Sequence, residues 1–258
     1  MLEKYVSRVC GVSMAGGEGR RLRPFTNNQP KALLPVGTEK KPMLEFSMQP
    51  WLKLGIDKYV FCTGYMSEMI ERHFGNGSKF GVNIDYSIED ARLETGGAIK
   101  NAIGNRKLSK NSPVIVFYCD DFVRLDPLDL IKSHMLGIKK HGFKATLVAT
   151  DSFRCDFGII ETEDIDDKLK RVVNFKEKPL INKHANVGIY ILEPEVLDHL
   201  DGFQSPFKFE SVVIPELVKR DWLMVYEIPW GNWLPVNTDK DYGDILKISL
   251  TDFYSKVL

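Results

Sequence analysis

From Val9 to about residue 150, apolar runs of strand length alternate with segments whose apolar residues recur at helical spacing. Val9 to Met14, Tyr59 to Cys62, Val114 to Phe117 and Ala145 to Thr150 are the runs. Between them lie the stripes Leu44, Met48, Trp51, Leu52; Met66, Met69, Ile70, His73, Phe74; and Leu128, Ile131, Met135, Ile138. An unbroken apolar run suits a strand covered on both faces, and a helix between consecutive strands is what lets them lie parallel. The pattern predicts an α/β fold, a Rossmann-like three-layer sandwich with a mostly parallel mixed sheet and ligands beyond the carboxyl ends of its strands. After residue 150 strand-like runs crowd together, at Phe157 to Ile160, Val172 to Phe175, Val187 to Leu192 and Leu223 to Ile228. These predict an extension of the same sheet, and Asp239 to Leu258 predicts one closing helix. No linker, low-complexity stretch or internal repeat divides the chain, so 1–258 reads as one domain.

The first strand runs into Met14-Ala15-Gly16-Gly17-Glu18-Gly19-Arg20-Arg21-Leu22-Arg23-Pro24-Phe25-Thr26, followed by Pro30-Lys31 and Leu34-Pro35-Val36. Backbone N–H groups exposed at such a turn form an anion-binding concavity, and glycine lets a ligand come close to the chain. Glycines after a strand are by themselves equally a tight turn. The cations Arg20, Arg21, Arg23 and Lys31 weigh toward a triphosphate site, because an ordinary turn has no use for converging charge. A dinucleotide fingerprint would need glycine where Leu22 stands, and no Gly-Lys-Ser/Thr closes a Walker-type loop.

Lys and Arg together number 35, as do Asp and Glu, and no basic block stands out. A general affinity for nucleic acid or anionic membrane is thereby excluded, and any cations that hold phosphate must be local. Cys10, Cys62, Cys119 and Cys155 show neither metal-ligand spacing nor a disulfide framework. With no signal pattern and no apolar run near about 18 residues, a soluble cytoplasmic protein is expected. The five histidines form no metal spacing, and the charge runs Asp164 to Asp167 and Lys168 to Arg171 read as a solvated hairpin. Asp120, in Tyr118-Cys119-Asp120-Asp121 after the Val114 strand, is placed to bind a hard cation such as Mg²⁺ and equally to cap a turn before Asp126-Pro127.

Together these segments resemble the sugar-1-phosphate nucleotidyltransferases, or NDP-sugar pyrophosphorylases. The matching segments are Met14 to Thr26, Pro30 to Val36 and Lys41-Pro42-Met43-Leu44. The resemblance implies the nucleotide-diphospho-sugar transferase fold, with 1–150 as nucleotide-binding half and 151–258 as the sugar-phosphate-binding half with its closing helix. It gives the triphosphate to Ala15, Gly16, Gly17 and Gly19. Arg20, read as the family's phosphate arginine, takes the leaving pyrophosphate, and Lys31 covers the reacting end. It puts Mg²⁺ on Asp120, although Cys119 replaces the family's glycine and leaves Asp121 as a second candidate. The family's other metal aspartate falls on Pro235, and Asn237, two residues on, is the substitute ligand, with an N-cap as its plainer role.

Asn174 to Pro179 and Ala185 to Tyr190, alone a charged turn and a strand, resemble the family's Glu-Lys-Pro and Asn-x-Gly-x-Tyr elements. By that resemblance Glu177 and Asn186 bond sugar hydroxyls, Lys178 binds the sugar phosphate and the backbone of Gly158 faces the sugar. Tyr86 to Ala98 resembles the Leu-Gly-Thr-Gly/Ala-Gly element, which adds Thr95 and Gly96 to the nucleotide contacts. Glu94 stands there where glycine is usual, so altered backbone geometry is expected. Members that use uracil or thymine tend to glutamine at the position of Glu89. A carboxylate only accepts, so Glu89 suits guanine, with its adjacent N1–H and N2–H, and cytosine second. Lys144 to Leu147 and Trp233-x-Pro235 resemble the glucose-1-phosphate cytidylyltransferases, so GTP is favoured only slightly.

The implied reaction joins an NTP and a sugar 1-phosphate into an NDP-sugar and pyrophosphate, with no protein nucleophile. Two other readings stay open: a catalytically weak nucleotide-sugar-binding regulator, motivated by Cys119, Glu94 and Pro235, and, remotely, a dinucleotide-dependent oxidoreductase. A homo-oligomer is compatible with the sequence.

Overall fold

A computed structural model describes residues 2–256. The longer strands are β1 (Cys10–Met14), β2 (Lys58–Thr63), β3 (Asn83–Ile88), β4 (Val114–Tyr118), β5 (Ala145–Thr150), β6 (Ile159–Asp164), β7 (Lys170–Lys176), β8 (Ala185–Leu192) and β9 (Leu223–Ile228). Seven of them make one sheet in the order β9-β5-β8-β4-β1-β2-β3. Neighbours are parallel except β8, which runs antiparallel to both β4 and β5. This is the mostly parallel mixed sheet expected.

The pleat divides each strand between two cores. Tyr59, Phe61, Ile115 and Phe117 face a layer containing Trp51, Phe74 and Ile131. Val60, Cys62, Val114 and Val116 face Ala98, Ile99, Val196 and Leu217 on the other side. Two covered faces are why the strands read as continuous apolar runs rather than alternating ones. The helix Pro127–His141 opens on Asp126, whose carboxylate accepts the N–H groups of Leu128 and Asp129, and closes on left-handed Gly142. The stripe from Leu44 to Leu52 is two short helices, Met43–Ser47 and Gln49–Leu54, with Pro50 in the first turn of the second.

Two expectations for the second half need correction. β8 and β9 extend the sheet, but β6 and β7 pair only with each other, in a hairpin whose large apolar residues Phe157, Ile160, Val172 and Phe175 stay exposed. Strand periodicity is the same for a hairpin off the sheet as for a strand within it. The closing segment is likewise two helices, Asp239–Ile245 and Leu250–Ser255, and Val257 and Leu258 lie outside the described residues. The second helix starts anew because Ser249 caps it and Glu39 receives its first N–H groups.

Both helices belong to a third core, where Tyr242, Ile245, Leu250 and Phe253 pack with Leu22, Leu34, Val36 and Phe122. This core seats the glycine loop. Glu39 ties it together, accepting from Thr251 N at 2.7 Å and from the Ser249 hydroxyl at 3.0 Å. Burial works to raise the Glu39 pKa, but the hydrogen bonds from Thr251 and Ser249 outweigh it and hold the carboxyl at about 2. A depressed carboxylate contributes stability above its unfolded pKa of 4.5, which is lost as pH falls through about 2. We expect Glu39→Gln to lower the melting temperature at pH 7 by about 2–4 °C, for a loss of about 1 kcal/mol. Paired melts at pH 7 and pH 3 check this, with the smaller difference at pH 3.

Candidate active site

The carboxyl ends of β1, β2 and β4 open on a hollow of about 610 Å³, lined by the glycine loop, Lys31, Glu89, Thr95, Asp120 and Asn237. A second hollow of about 460 Å³ adjoins it beyond Asp120, lined by Asn186, Gly188, Tyr190, Lys208, Glu210 and Trp233. Arg21, Thr95, Tyr118, Asp120 and Asn237 border both.

The loop leaves β1 with Ala15 N bonded to the Cys62 carbonyl at 2.9 Å, and Gly16 passes close to Thr63 and Glu89. Gly19 takes the left-handed conformation, φ 62, with Thr26 so near that a β-carbon would collide. A short antiparallel pairing of Trp233–Pro235 with Asp121–Val123 brings the C-terminal part alongside, and Val236 N donates to the Asp120 carbonyl at 3.0 Å. Asn237 is thereby carried to the same cleft as Asp120 without the aspartate that Pro235 replaces. The N-cap of the following helix is Thr238, in a capping box with Asp241.

Charges in the cleft are matched. Lys31 Nζ pairs with Asp120 Oδ2, both side chains largely buried. Arg21 Nη2 donates to Asn237 Oδ1 at 3.0 Å. Asp121, beside Asp120, has its pKa pushed up to about 8, by burial first and by the Asp120 charge second, against a hydrogen bond from Trp233 Nε1 at 2.8 Å. Two carboxylates that crowd each other, with an amide oxygen nearby, are a donor set that suits a hard divalent cation. Among the described residues no cluster of three or more His, Cys, Asp or Glu forms a metal cage. A metal here therefore needs oxygens from a ligand.

Arg20 lines the first hollow, but its charge is already taken. Its guanidinium is 69 % exposed and gripped by Glu18, with Nε–Oε2 at 2.7 Å and Nη2–Oε1 at 2.9 Å. Arg21, next in the chain, reaches across to Asn237. A three-residue 3₁₀ turn over Arg20–Leu22 buries Leu22 and leaves both arginines exposed at the rim of the first hollow. In the signature Gly-x-Gly-Thr-Arg-Leu-x-Pro of the family resembled, Arg20 stands in the threonine's place and Arg21 in the arginine's.

Gly96 lies outside the lining, its N–H bonded to the Phe207 carbonyl at 3.0 Å and its open side filled by the Phe207 ring, so its role is packing. Glu94 takes the left-handed backbone, φ 60, a conformation that glycine adopts freely and other residues only at a cost. Its side chain pairs with Arg92 at 3.0 Å. Glu89 accepts from Leu93 N at 3.0 Å, and its pKa is raised, by burial above all. Asn186 lines the second hollow, but Gly158, Glu177 and Lys178 line neither. Gly158 and Glu177 do meet, against the Phe175 ring at the base of the exposed hairpin. Lys208, Glu210, Tyr118 and Trp233 were not singled out in the sequence. The alternation of aromatic and charged residues in Phe207-Lys208-Phe209-Glu210 was the available signal.

A mostly parallel sheet ending in a glycine loop, with cations and adjacent carboxylates at its rim, defines an α/β protein with a charged cleft beyond its strand ends. The chain belongs to the nucleotidyl transferase family, whose model matches residues 10–250. It is 32 % identical over 245 residues to a mannose-1-phosphate guanyltransferase of Saccharomyces cerevisiae, covering 93 % of this chain and 64 % of that one. It is 28 % identical over 250 residues to a UTP–glucose-1-phosphate uridylyltransferase of Synechocystis, covering 91 % and 61 %. The chain thus spans 61 to 64 % of the length of these relatives. A Bacillus anthracis structure described as a glucose-1-phosphate thymidylyltransferase shares the fold, with TM-score 0.69 and 22 % identity over 92 % of this chain and 93 % of that one. No helix among the described residues is long and apolar enough to cross a membrane.

Proposed function

We propose that the chain transfers a nucleotidyl group from an NTP, with GTP favoured, to a sugar 1-phosphate, releasing pyrophosphate. What carries this reading is the meeting of Lys31–Asp120 and Arg21–Asn237 at the border of two hollows, one beside the glycine loop and one beside Asn186. The border is where two phosphates must meet. The first 150 residues supply the nucleotide side, and residues 151–258 supply the acceptor side within one domain.

A sugar phosphate is anionic near neutral pH, with a second pKa of about 6, so it attacks without a protein base. The chain's task is alignment and neutralisation of charge. The loop N–H groups take triphosphate oxygens, and Arg21 and Lys31 exchange their protein partners for phosphate. Asp120 and Asn237 would hold Mg²⁺, which supplies charge neutralisation between the reacting phosphate and the leaving group. The acceptor reading rests on Asn186 and its neighbours, since Gly158, Glu177 and Lys178 stand on the hairpin outside both hollows. The free thiols Cys10, Cys62, Cys119 and Cys155 support a reducing, cytoplasmic setting.

The test is pyrophosphate release from each NTP with a panel of sugar 1-phosphates and Mg²⁺. Turnover with GTP and one acceptor is expected; tight NDP-sugar binding with no turnover under any pair would turn the reading to a regulator. Glu89 supports guanine because its carboxylate, half-buried with one backbone N–H donor from Leu93, gains two N–H donors from that base. Glu89→Gln should shift the GTP-to-UTP ratio of kcat/KM by about tenfold or more toward UTP, through one mismatched hydrogen bond. An unchanged ratio would remove Glu89 from base recognition.

A further inference from the structure

The second hollow holds a group that neither family resemblance nor motif assigns. Glu210 sits in a π-helical turn, Phe209–Val213, that leads into the helix Ile214–Lys219. Such turns insert a residue into helical geometry and are concentrated at functional sites. Three hydroxyls surround its carboxylate. Thr95 Oγ1 donates to Oε2 at 2.8 Å, the Tyr118 hydroxyl donates to Oε1, and the Tyr190 hydroxyl stands 3.5 Å from the same oxygen. Thr95 is itself fixed, accepting from Phe209 N at 2.8 Å, and Tyr190 OH accepts from Asn186 Nδ2 at 2.6 Å.

An ionised carboxylate offers about four lone-pair sites. The well-made bonds use two. At 3.5 Å the Tyr190 proton is at the limit of hydrogen bonding and is free for a better acceptor. The hollow therefore presents a strong acceptor, Glu210, next to an uncommitted donor, Tyr190, which is the arrangement that satisfies a ligand hydroxyl in both directions. Arg21 and Lys208 on the same wall add positive charge. Burial pushes the Tyr118 pKa up, so that hydroxyl stays protonated and keeps Glu210 oriented.

We propose that Glu210 is the specificity-determining residue for the acceptor, accepting a hydrogen bond from one hydroxyl of a polyhydroxylated, singly phosphorylated ligand whose oxygen takes the Tyr190 proton. This rests on the proposed transfer reaction for the identity of the ligand. The pre-set pair Glu210–Thr95 also joins the acceptor wall to the wall of the nucleotide hollow, which fixes the distance between the two substrates.

The variant Glu210→Gln keeps the shape but loses the charge, and its single oxygen serves one of Thr95 and Tyr118 while the other hydroxyl faces the amide NH2. Its KM for the sugar 1-phosphate should rise about tenfold or more while the KM for the NTP stays within about twofold. With singly deoxygenated acceptors, wild type should reject one by about tenfold or more, and that penalty should vanish in Glu210→Gln. Tyr190→Phe, which removes one hydroxyl from a ring that stays packed, should raise the same KM alone. Equal losses for both substrates, or a deoxy-acceptor profile unchanged by Glu210→Gln, would overturn the proposal and leave Glu210 a strut. If wild type turns over no pair, calorimetric titration with sugar 1-phosphates separates the two ideas. Binding that Glu210→Gln weakens about tenfold keeps this inference while the transfer reaction fails; no binding by wild type sinks both.

Discussion

Asp120→Asn is expected to lower turnover by about a hundredfold or more at saturating substrates, the cost typical of losing one preorganised charge-stabilising group. The residue sits just beyond the carboxyl end of β4 and lines both hollows. Its position is fixed twice. Val236 N holds its carbonyl at 3.0 Å, and Lys31 holds its carboxylate. The asparagine keeps the volume and an oxygen for Lys31, so the melting temperature should move by only a few degrees. It removes the charge that makes an oxygen pair with Asp121 attractive to a divalent cation, so the Mg²⁺ concentration needed for half-maximal rate should rise as well. Steady-state rates across a Mg²⁺ titration check both, and a variant with full rate at low Mg²⁺ would remove Asp120 from the reacting centre.

The sequence made the sheet legible because strands covered on two faces must be apolar throughout, and crossover helices must carry stripes between them. Val114 to Phe117 and Ala145 to Thr150 leave no other reading. The glycine loop was legible as the exit of a buried strand, because Gly16, Gly17 and Gly19 follow an unbroken apolar run. The β6–β7 hairpin was legible from its charge runs, but its place off the main sheet was not, because period-two patterning fixes a strand's faces but not its sheet. The divided closing helix was not, because the residue that divides it, Glu39, is far away in sequence and acts through three dimensions. Glu210 was missed on similar grounds. A π-helical turn has no periodic signature of its own, and the hydroxyls that converge on Glu210 come from Thr95, Tyr118 and Tyr190 on three separate elements.

The choice between Arg20 and Arg21 makes its own prediction. Two adjacent arginines are indistinguishable by charge; both line the first hollow, and of the two Arg21 alone also lines the second. Arg21 spans to Asn237 and borders both hollows, so its charge lies where a triphosphate and an incoming phosphate approach each other. Arg20 is exposed and already neutralised by Glu18, whose own pKa is held below the usual carboxylate range by the Arg20 hydrogen bonds. For Arg20 to bind phosphate it must first leave a bidentate partner; Arg21 leaves only a neutral amide, a weaker acceptor. We therefore expect Arg21→Ala to reduce kcat by about a hundredfold or more, and Arg20→Ala by about tenfold or less. Glu18→Gln, which frees Arg20, should tighten NTP binding if Arg20 contributes at the rim. Pyrophosphate release and NTP titrations on the three variants measure this directly. A larger loss from Arg20→Ala than from Arg21→Ala would mean that the ligand redirects the loop, and that the Glu18 grip is a resting state released on binding.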